Sequence, residues 1–475
     1  MLKKMNQIRI QDRPIYDFYS YHGYSLWSFY QQILWEEIQR FHADDGRTKK
    51  RKKNYAFAPL KDLIQKIFIL GISLVSFIIF LIKRPRVIVF SNDIVQGPFR
   101  TDLRINELYR FLNERNISYG EIIHTVFNRG IINRFLARRR PIFYLENADI
   151  VFSLTSRFKR KFFADIKLNQ INWSDFSEKE RSFAQGILKL FSKRAEISIL
   201  KIKLFKWFFK ILKPEFLFAI DDVRYYHELL LAAKLAGVKT CGFQHGRFNQ
   251  YLVGWINYQI PPQKCLIPDS YFVWNEYWQN KIISLSPTFS YYQDRIRIAG
   301  KPGSIDQSQN IIHRTDDGIM AVLIPHEVKA VKYEINAYVE KFLACPKTKV
   351  LYRLRQDIPE EEQKKSVAQF LNHSDFKIVG PMTDSELRTV DVITGTYSTM
   401  LYEMVEKGIP IAVLESSTTE ADDLVDEGMA TKITLDSEIC KMMKKISETK
   451  ENVLKKSAEK FHTKADIKDT LSSIL

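Results

Sequence analysis

A chain of 475 residues exceeds what one hydrophobic core usually serves, so two globular domains with added segments are expected. Apolar residues make up 45% and aromatic residues 13%, which excludes a globally disordered chain. Lys and Arg outnumber Asp and Glu by 72 to 55, a net charge of +17, and point to an anionic partner: nucleic acid, an anionic lipid surface or a phosphorylated substrate.

The first residues, from Lys3 and Lys4 through Arg13, are polar and lack the apolar run and small-residue site of a secretory signal. An aromatic stretch follows, including Tyr16, Tyr19, Tyr24, Trp27, Tyr30 and Trp35. It suits either a belt at a membrane interface or a helical cap on the domain behind it. Residues 67–82 then read IFILGISLVSFIIFLI without a charge, between a basic run at 47–53 and the cations Lys83, Arg84 and Arg86. A spanning helix needs about 20 apolar residues, so this run is short unless Leu63 and Ile64 join it and Lys66 snorkels, which extends the apolar helix to 63–82. Three placements stay open: buried against the first domain, lying in a membrane interface, or spanning. The flanking cations favour contact with an anionic membrane surface, hence a cytoplasmic protein on the inner face of the cell membrane.

Val87-Ile88-Val89-Phe90, ending in Ser91-Asn92-Asp93, reads as a buried parallel strand whose carboxyl end opens into a polar loop. Two basic stretches follow, one with Arg134, Arg138, Arg139 and Arg140, the other an aromatic helix within 189–213 containing Trp207, Phe208 and Phe209. Each reads as a solvated charged face over an apolar stripe, or as a surface for lipid phosphates or a polyanionic acceptor. A βαβ unit comes next: strand 216–220 ending at Asp221-Asp222, helix 226–236 closed by Gly237, and strand 238–243 ending at Gln244-His245-Gly246. The stretch 287–309 is the expected hinge. Strand-like runs recur at 320–324, 350–354, 376–379, 390–393, 409–414 and 431–435, enough for a second doubly wound domain.

The expected fold class is therefore α/β, with two Rossmann-like doubly wound domains. The expected divisions are an N-terminal aromatic and basic segment at 1–86 that can associate with a membrane, a first domain at 87–290 and a second at 310–475. Cys241, Cys265, Cys345 and Cys440 are far apart without a CxxC pair, and read as reduced core thiols.

The clearest local signal is Gly395-Thr396-Tyr397-Ser398-Thr399, a turn after a strand at the start of a helix, with Glu403 one turn on and Gly408-Ile409-Pro410 beyond. Amides and hydroxyls at such a helix start suit an anion, and Glu403 could accept from sugar or ribose hydroxyls; the plain reading is an ordinary N-cap with an exposed Glu. This stretch resembles the donor-binding segment of GT-B glycosyltransferases. The run from Leu235 to Gly246, with Gln244-His245-Gly246, then Pro268-Asp269 and Phe272-Val273-Trp274, resembles bacterial capsule and surface-polysaccharide transferases of that fold. The run Ile296 to Pro302, with Gly300-Lys301-Pro302, is similar to their passage into the second domain.

That resemblance, which spans about 215–415, implies two domains facing across a cleft and transfer of a sugar from a nucleotide-sugar donor to a glycan or lipid-linked glycan. The same fold serves glycerophosphotransferases and sugar-nucleotide 2-epimerases, which stand as the alternative. Many relatives carry His-Pro after the second strand of the second domain; here the position reads Tyr352-Arg353-Leu354-Arg355, so Arg353 or Arg355 would supply the charge. An inverting transfer needs a base for the acceptor hydroxyl, for which Asp222 or His245 is favoured, with Asp221 as the alternative. The aspartates could equally cap the helix near Arg224. Arg247, Lys301, His326 and Arg353 are candidate phosphate partners, and Gly395, Tyr397, Ser398, Thr399 and Glu403 candidate donor contacts. No metal and no cofactor beyond the sugar nucleotide is expected, because no Asp-x-Asp sits between apolar strands. No nucleic acid is expected either, because no zinc finger, helix-turn-helix or RNP-like strand is present.

Overall fold

The computed structural model describes residues 1–43, 58–94, 98–125, 131–138, 140–147, 162–164, 166–221, 226–250, 253–300, 319–327, 332–355, 358–380, 382–387, 389–416, 420–463 and 465–475. The chain forms two compact units, unit 1 (Met1–Gly303 with Lys464–Leu475) and unit 2 (Ser304–Thr463).

In unit 1, helix α1 (Ala58–Lys83) leads into β1 (Val87–Asn92), α2 (Asn106–Glu114), β2 (Tyr119–His124), α3 (Ile131–Arg138) and β3 (Ile142–Tyr144). The long helix α4 (Glu178–Leu212) precedes β4 (Phe216–Ile220), α5 (Tyr226–Leu235), β5 (Lys239–Phe243), β6 (Ser270–Val273), α6 (Glu276–Leu285) and β7 (Ile296–Ile298). All seven strands pair in parallel in the order β7-β6-β5-β4-β1-β2-β3. The strand order thus reverses between β1 and β4, the place where open α/β sheets bind ligands. Every residue of β4 is buried, as a continuous apolar run requires when both sheet faces are covered.

The capping box of Ser177 and Glu180 starts α4, and Lys213, in the left-handed region at φ 50°, ends it before Pro214. The N-terminal aromatic stretch packs on this helix. Phe191 meets the rings of Tyr19 and Trp27 at 5.0 and 4.4 Å, and Trp27 Nε1 donates to Asn6 Oδ1 at 2.7 Å. Of its two expected roles the cap is therefore the one adopted, and residues 1–86 belong to unit 1 rather than standing apart.

Helix α1 covers the sheet edge. Ser73 Oγ accepts from Tyr144 N and Ser76 Oγ from Ile142 N, both at 2.9 Å, so amides of edge strand β3 are satisfied by the only hydroxyls in the apolar run. Among the described residues no helix is long and apolar enough to cross a membrane. The arginines of the basic stretch at 134–140 that the structure describes engage carboxylates of unit 1 itself. Arg134 and Arg138 pair with Asp93, and Arg140 with Glu121, both carboxylates being buried. Arg139 lies outside the described residues.

The expected hinge at 287–309 begins inside unit 1, because helix Pro287–Tyr291 and strand β7 occupy its first half. Residues 464–475, expected in the second domain, also belong to unit 1. There helix Ile467–Ser472 packs on α2, and Gly300, at φ +76°, approaches Ala465 so closely that a Cβ would sit 2.7 Å from its carbonyl oxygen.

On α5, His227 lies between the rings of Phe29 and Trp255, at 5.0 and 5.7 Å. Burial pushes its pKa from 6.5 down to about 4, with Asp221 opposing in part. The unfolded chain then binds the proton more readily than the folded one. This contribution is present in full above pH 6.5 and is lost as the pH falls from 6.5 to about 4, by up to about 3 kcal/mol. Urea unfolding across that range is expected to give a flatter stability profile for His227→Phe than for the unsubstituted chain; parallel profiles would contradict the assignment.

Unit 2 runs β8 (Met320–Pro325), α7 (Lys332–Leu343), β9 (Thr348–Arg353), β10 (Phe376–Val379), β11 (Val392–Gly395), α8 (Thr399–Glu406), β12 (Ile411–Leu414), β13 (Thr431–Ile433) and α9 (Ile439–Ser447). Its six strands are parallel in the order β10-β9-β8-β11-β12-β13, the Rossmann order 3-2-1-4-5-6, reversing between β8 and β11. Both units are thus the doubly wound α/β domains expected from the sequence.

One expectation fails here. Cys345 and Cys440 form a disulfide, with Cα atoms 5.4 Å apart, while Cys241 and Cys265 are free and buried. Helices α7 and α9 pack side by side, which brings together two cysteines 95 residues apart that no local motif connects.

Candidate functional site

At the carboxyl edge of the unit 1 sheet, β4 delivers Asp221 and its neighbour β5 delivers Gln244-His245-Gly246. Gln244 braces the turn. Its Nε2 donates to Gly246 O at 2.6 Å, its Oε1 accepts from Trp274 N at 3.0 Å, and its own amide donates to Phe272 O at 2.9 Å. The turn is thereby fastened to β6, and His245 is the residue it presents.

His245 Nδ1 lies 2.5 Å from Asp221 Oδ1, and the Tyr271 hydroxyl donates to Asp221 Oδ2. The Asp221 side chain is fully buried and that of His245 is 22% exposed. A carboxylate on Nδ1 selects the tautomer with its proton there, so the basic nitrogen of the ring is Nε2. Beside the pair, the Tyr226 phenol is buried without a hydrogen-bond partner among the described residues. Burial first, then the charge of Asp221, raise its pKa well above the usual value and keep it neutral.

The same edge carries groups that sequence reasoning missed. At the β1–β4 reversal, Asp93 accepts from Thr125 Oγ1 at 2.5 Å and Arg134 Nε at 2.8 Å and also pairs with Arg138. Next to it, His124 Nδ1 lies 2.5 Å from Glu146 Oε1, which also accepts from Thr125 N at 2.9 Å. The signal for Asp93 and His124 was their place at strand ends; Glu146 lies in a loop with no motif.

In unit 2 the reversal between β8 and β11 brings His326 and Glu327 beside the Gly395–Thr399 turn. Glu327 is buried, and its carboxylate accepts from Thr396 N at 2.8 Å, Tyr397 N at 3.2 Å and the Thr396 hydroxyl. The turn amides expected to meet a substrate anion thus already hold an internal one. Gly395 is needed for that approach, since a Cβ there would lie 2.9 Å from Glu327 Oε1. Strand β11 runs to Gly395, two residues beyond the expected end, and the turn begins at Thr396. Ser398 caps α8 by accepting from Met400 N at 3.3 Å, and Thr399 is the first helical residue.

Arg353 ends β9 on the same edge. Its Nη1 lies 3.0 Å from Met400 Sδ, and its Nε, buried, has no hydrogen-bond partner among the described residues. Burial lowers its pKa, opposed by the charge of half-buried Glu403. His326 Nδ1 sits 2.8 Å from the Tyr352 hydroxyl. Arg355 is exposed, its backbone amide and carbonyl both bound at 2.7 Å by Gln363.

The expected site residues therefore fall into two groups, Asp221 with His245 in unit 1 and His326, Arg353, Gly395, Tyr397, Ser398, Thr399 and Glu403 in unit 2. Arg247 is buried in unit 1. Asp222 and Lys301 lie outside the described residues.

No protein-family model matches the chain, and no curated protein matches it. Solved structures do. UDP-GlcNAc 2-epimerase from Neisseria meningitidis bound to UDP-GlcNAc is similar with 14% identity and a TM-score of 0.47, over 82% of this chain and 98% of that one. The lipopolysaccharide outer core galactosyltransferase WaaB is similar at 12% identity and a TM-score of 0.45, over 82% and 99%. Anabaena Alr3699/HepE in complex with UDP and glucose is similar at 11% identity and a TM-score of 0.44, over 82% and 100%.

Proposed function

We propose that this chain is a GT-B-type glycosyltransferase that moves a sugar from a nucleotide-sugar donor to a surface polysaccharide or lipid-linked acceptor, with inversion and without a divalent metal. The observation that carries the reading is the Asp221–His245 pair, a partly exposed imidazole held by a buried carboxylate at a strand end. In this reading His245 Nε2 takes the proton of the acceptor hydroxyl as the acceptor oxygen bonds to the anomeric carbon. The bond from that carbon to the phosphate oxygen breaks, and the nucleotide leaves with the electron pair. Asp221 acts through His245, as a positioning residue that also stabilises the imidazolium.

The donor groups come from unit 2. Arg353 supplies a positive charge whose Nε has no hydrogen-bond partner among the described residues, suited to a phosphate oxygen, and Glu403 stands one turn into α8 for sugar or ribose hydroxyls. Calorimetric titration of the full chain with UDP-glucose, UDP-N-acetylglucosamine and CDP-glycerol tests this assignment. Arg353→Ala is expected to weaken binding of the accepted donor by roughly 10- to 100-fold, the worth of a charged hydrogen bond, and Glu403→Ala by several-fold. Unchanged affinity in both variants would remove the donor site. Incubation without an acceptor separates the other chemistry of this fold, since a 2-epimerase would alter the sugar nucleotide by itself.

A further inference from the structure

Helix α1 is apolar on its outer face as well as on its inner one, where Ile69 and Phe80 are buried. Within its uncharged run the two hydroxyl residues, Ser73 and Ser76, are buried against β3, while Ile67, Leu70, Leu74, Ile78 and Ile82 are exposed, Ile82 at 77%. A helix on a water-facing surface carries polar and charged residues on its outer face. The apolar face continues on both sides, through Ile132 and Leu136 of α3 and through Trp207 and Ile211 of α4. Ring contacts of 6.0 Å, Phe68 to Phe135 and Phe77 to Trp207, join the three helices at this face. Scattered exposed apolar side chains need no explanation, but a contiguous face across three helices marks an interaction surface.

Two further features identify the partner. Cations border the face: Lys83 and Arg84 follow the exposed end of α1, and Lys203 and Lys210 lie within a turn of Trp207 on α4, all exposed. Between α1 and α4 the face opens into a crevice of about 160 Å³ walled by Leu70, Leu74, Phe77, Phe143, Leu204 and Phe208. We propose that this face docks unit 1 on the surface of an anionic phospholipid bilayer. The apolar stripe lies among the upper acyl chains, the bordering cations meet headgroup phosphates, and the crevice takes one hydrocarbon chain. A second copy of the chain fits the face less well, because a two-fold contact pairs the face with itself, and the segments that form it, 67–84, 131–138 and 203–212, contain no Asp or Glu to meet these cations. The helix lies in the interface rather than crossing, consistent with the shortness of its uncharged run, 67–82, and with the serine bonds that hold its inner side to the sheet. The proposal is independent of the sugar-transfer reading.

The test uses the full chain with vesicles of phosphatidylcholine alone or with about one-third phosphatidylglycerol. The unsubstituted chain is expected to sediment with the mixed vesicles, and Leu74→Glu with Ile78→Glu to weaken that binding by roughly tenfold or more. Both side chains are exposed, so unchanged circular dichroism and thermal unfolding will show the fold intact, and Leu74→Ser with Ile78→Ser gives a milder second variant. Lys203→Glu with Lys210→Glu is expected to remove most of the preference for the anionic vesicles. Bromine-labelled acyl chains are expected to quench fluorescence in the unsubstituted chain and distinctly less in Trp207→Phe. A chain left in the supernatant with both vesicle types, or a Glu variant that binds as before, would overturn the proposal. So would a dimer that the Glu variant dissociates in a chain showing no vesicle binding.

Discussion

His245→Ala is expected to lower sugar-transfer turnover by about 10²- to 10⁴-fold while leaving nucleotide-sugar affinity within a few-fold, because the imidazole handles a proton and the donor contacts belong to unit 2. Asp221→Asn is the sharper test. The amide keeps the shape of the carboxylate, but its NH2 can donate to Nδ1 and favour the tautomer whose proton sits on Nε2, the nitrogen that has to accept one. Turnover should fall by a comparable factor, and the pH–rate profile should lose the limb that reports the imidazole. A merely structural Asp221 would instead change stability and leave that limb in place. The nearby His124–Glu146 pair makes the comparison decisive: full turnover in His245→Ala with loss in His124→Ala would move the base to β2.

Reduction of the Cys345–Cys440 bridge is expected to cost unit 2 about 4.7 kcal/mol, the loop-closure entropy of a crosslink spanning roughly 100 residues at 25 °C. In a unit of this size that corresponds to a fall of roughly 10–18 °C in Tm. Cys440 is exposed, so Cys440→Ser removes the bond with little loss of packing and should reproduce the effect of a reductant. Thermal unfolding with and without reductant gives the readout. A Tm that does not respond to reductant in the unsubstituted chain, with Cys440→Ser equally stable, would show that the bridge does not form or carries no stability.

Much of this fold is legible in the sequence because a strand buried on both faces announces itself as an apolar run with polar residues at its carboxyl end. The apolar runs Phe216–Ile220, followed by Asp221, and Phe376–Val379 coincide with strands to the residue, and Gln244-His245-Gly246 lies at a strand end as its pattern predicts. What a linear pattern does not show is which distant groups meet there. Nothing near Glu327 marks it as the anion that fills the Thr396–Tyr397 amides, because that pairing arises only when β8 and β11 become neighbours. Arg134, Arg138 and Arg140 read as a surface for the same reason: their partners, Asp93 and Glu121, come from distant segments of the chain. Charge along the chain predicts a partner's sign but not whether that partner is a ligand or the protein itself.

The close approach of Gly300 to Ala465 has a consequence for how the polypeptide is assembled. The outgoing and returning strands of the path meet at one point, so everything between them is an inserted cassette with its two ends side by side. Such a topology lets the host module close its own backbone around the insertion, and one short splice at that junction would restore an unbroken host.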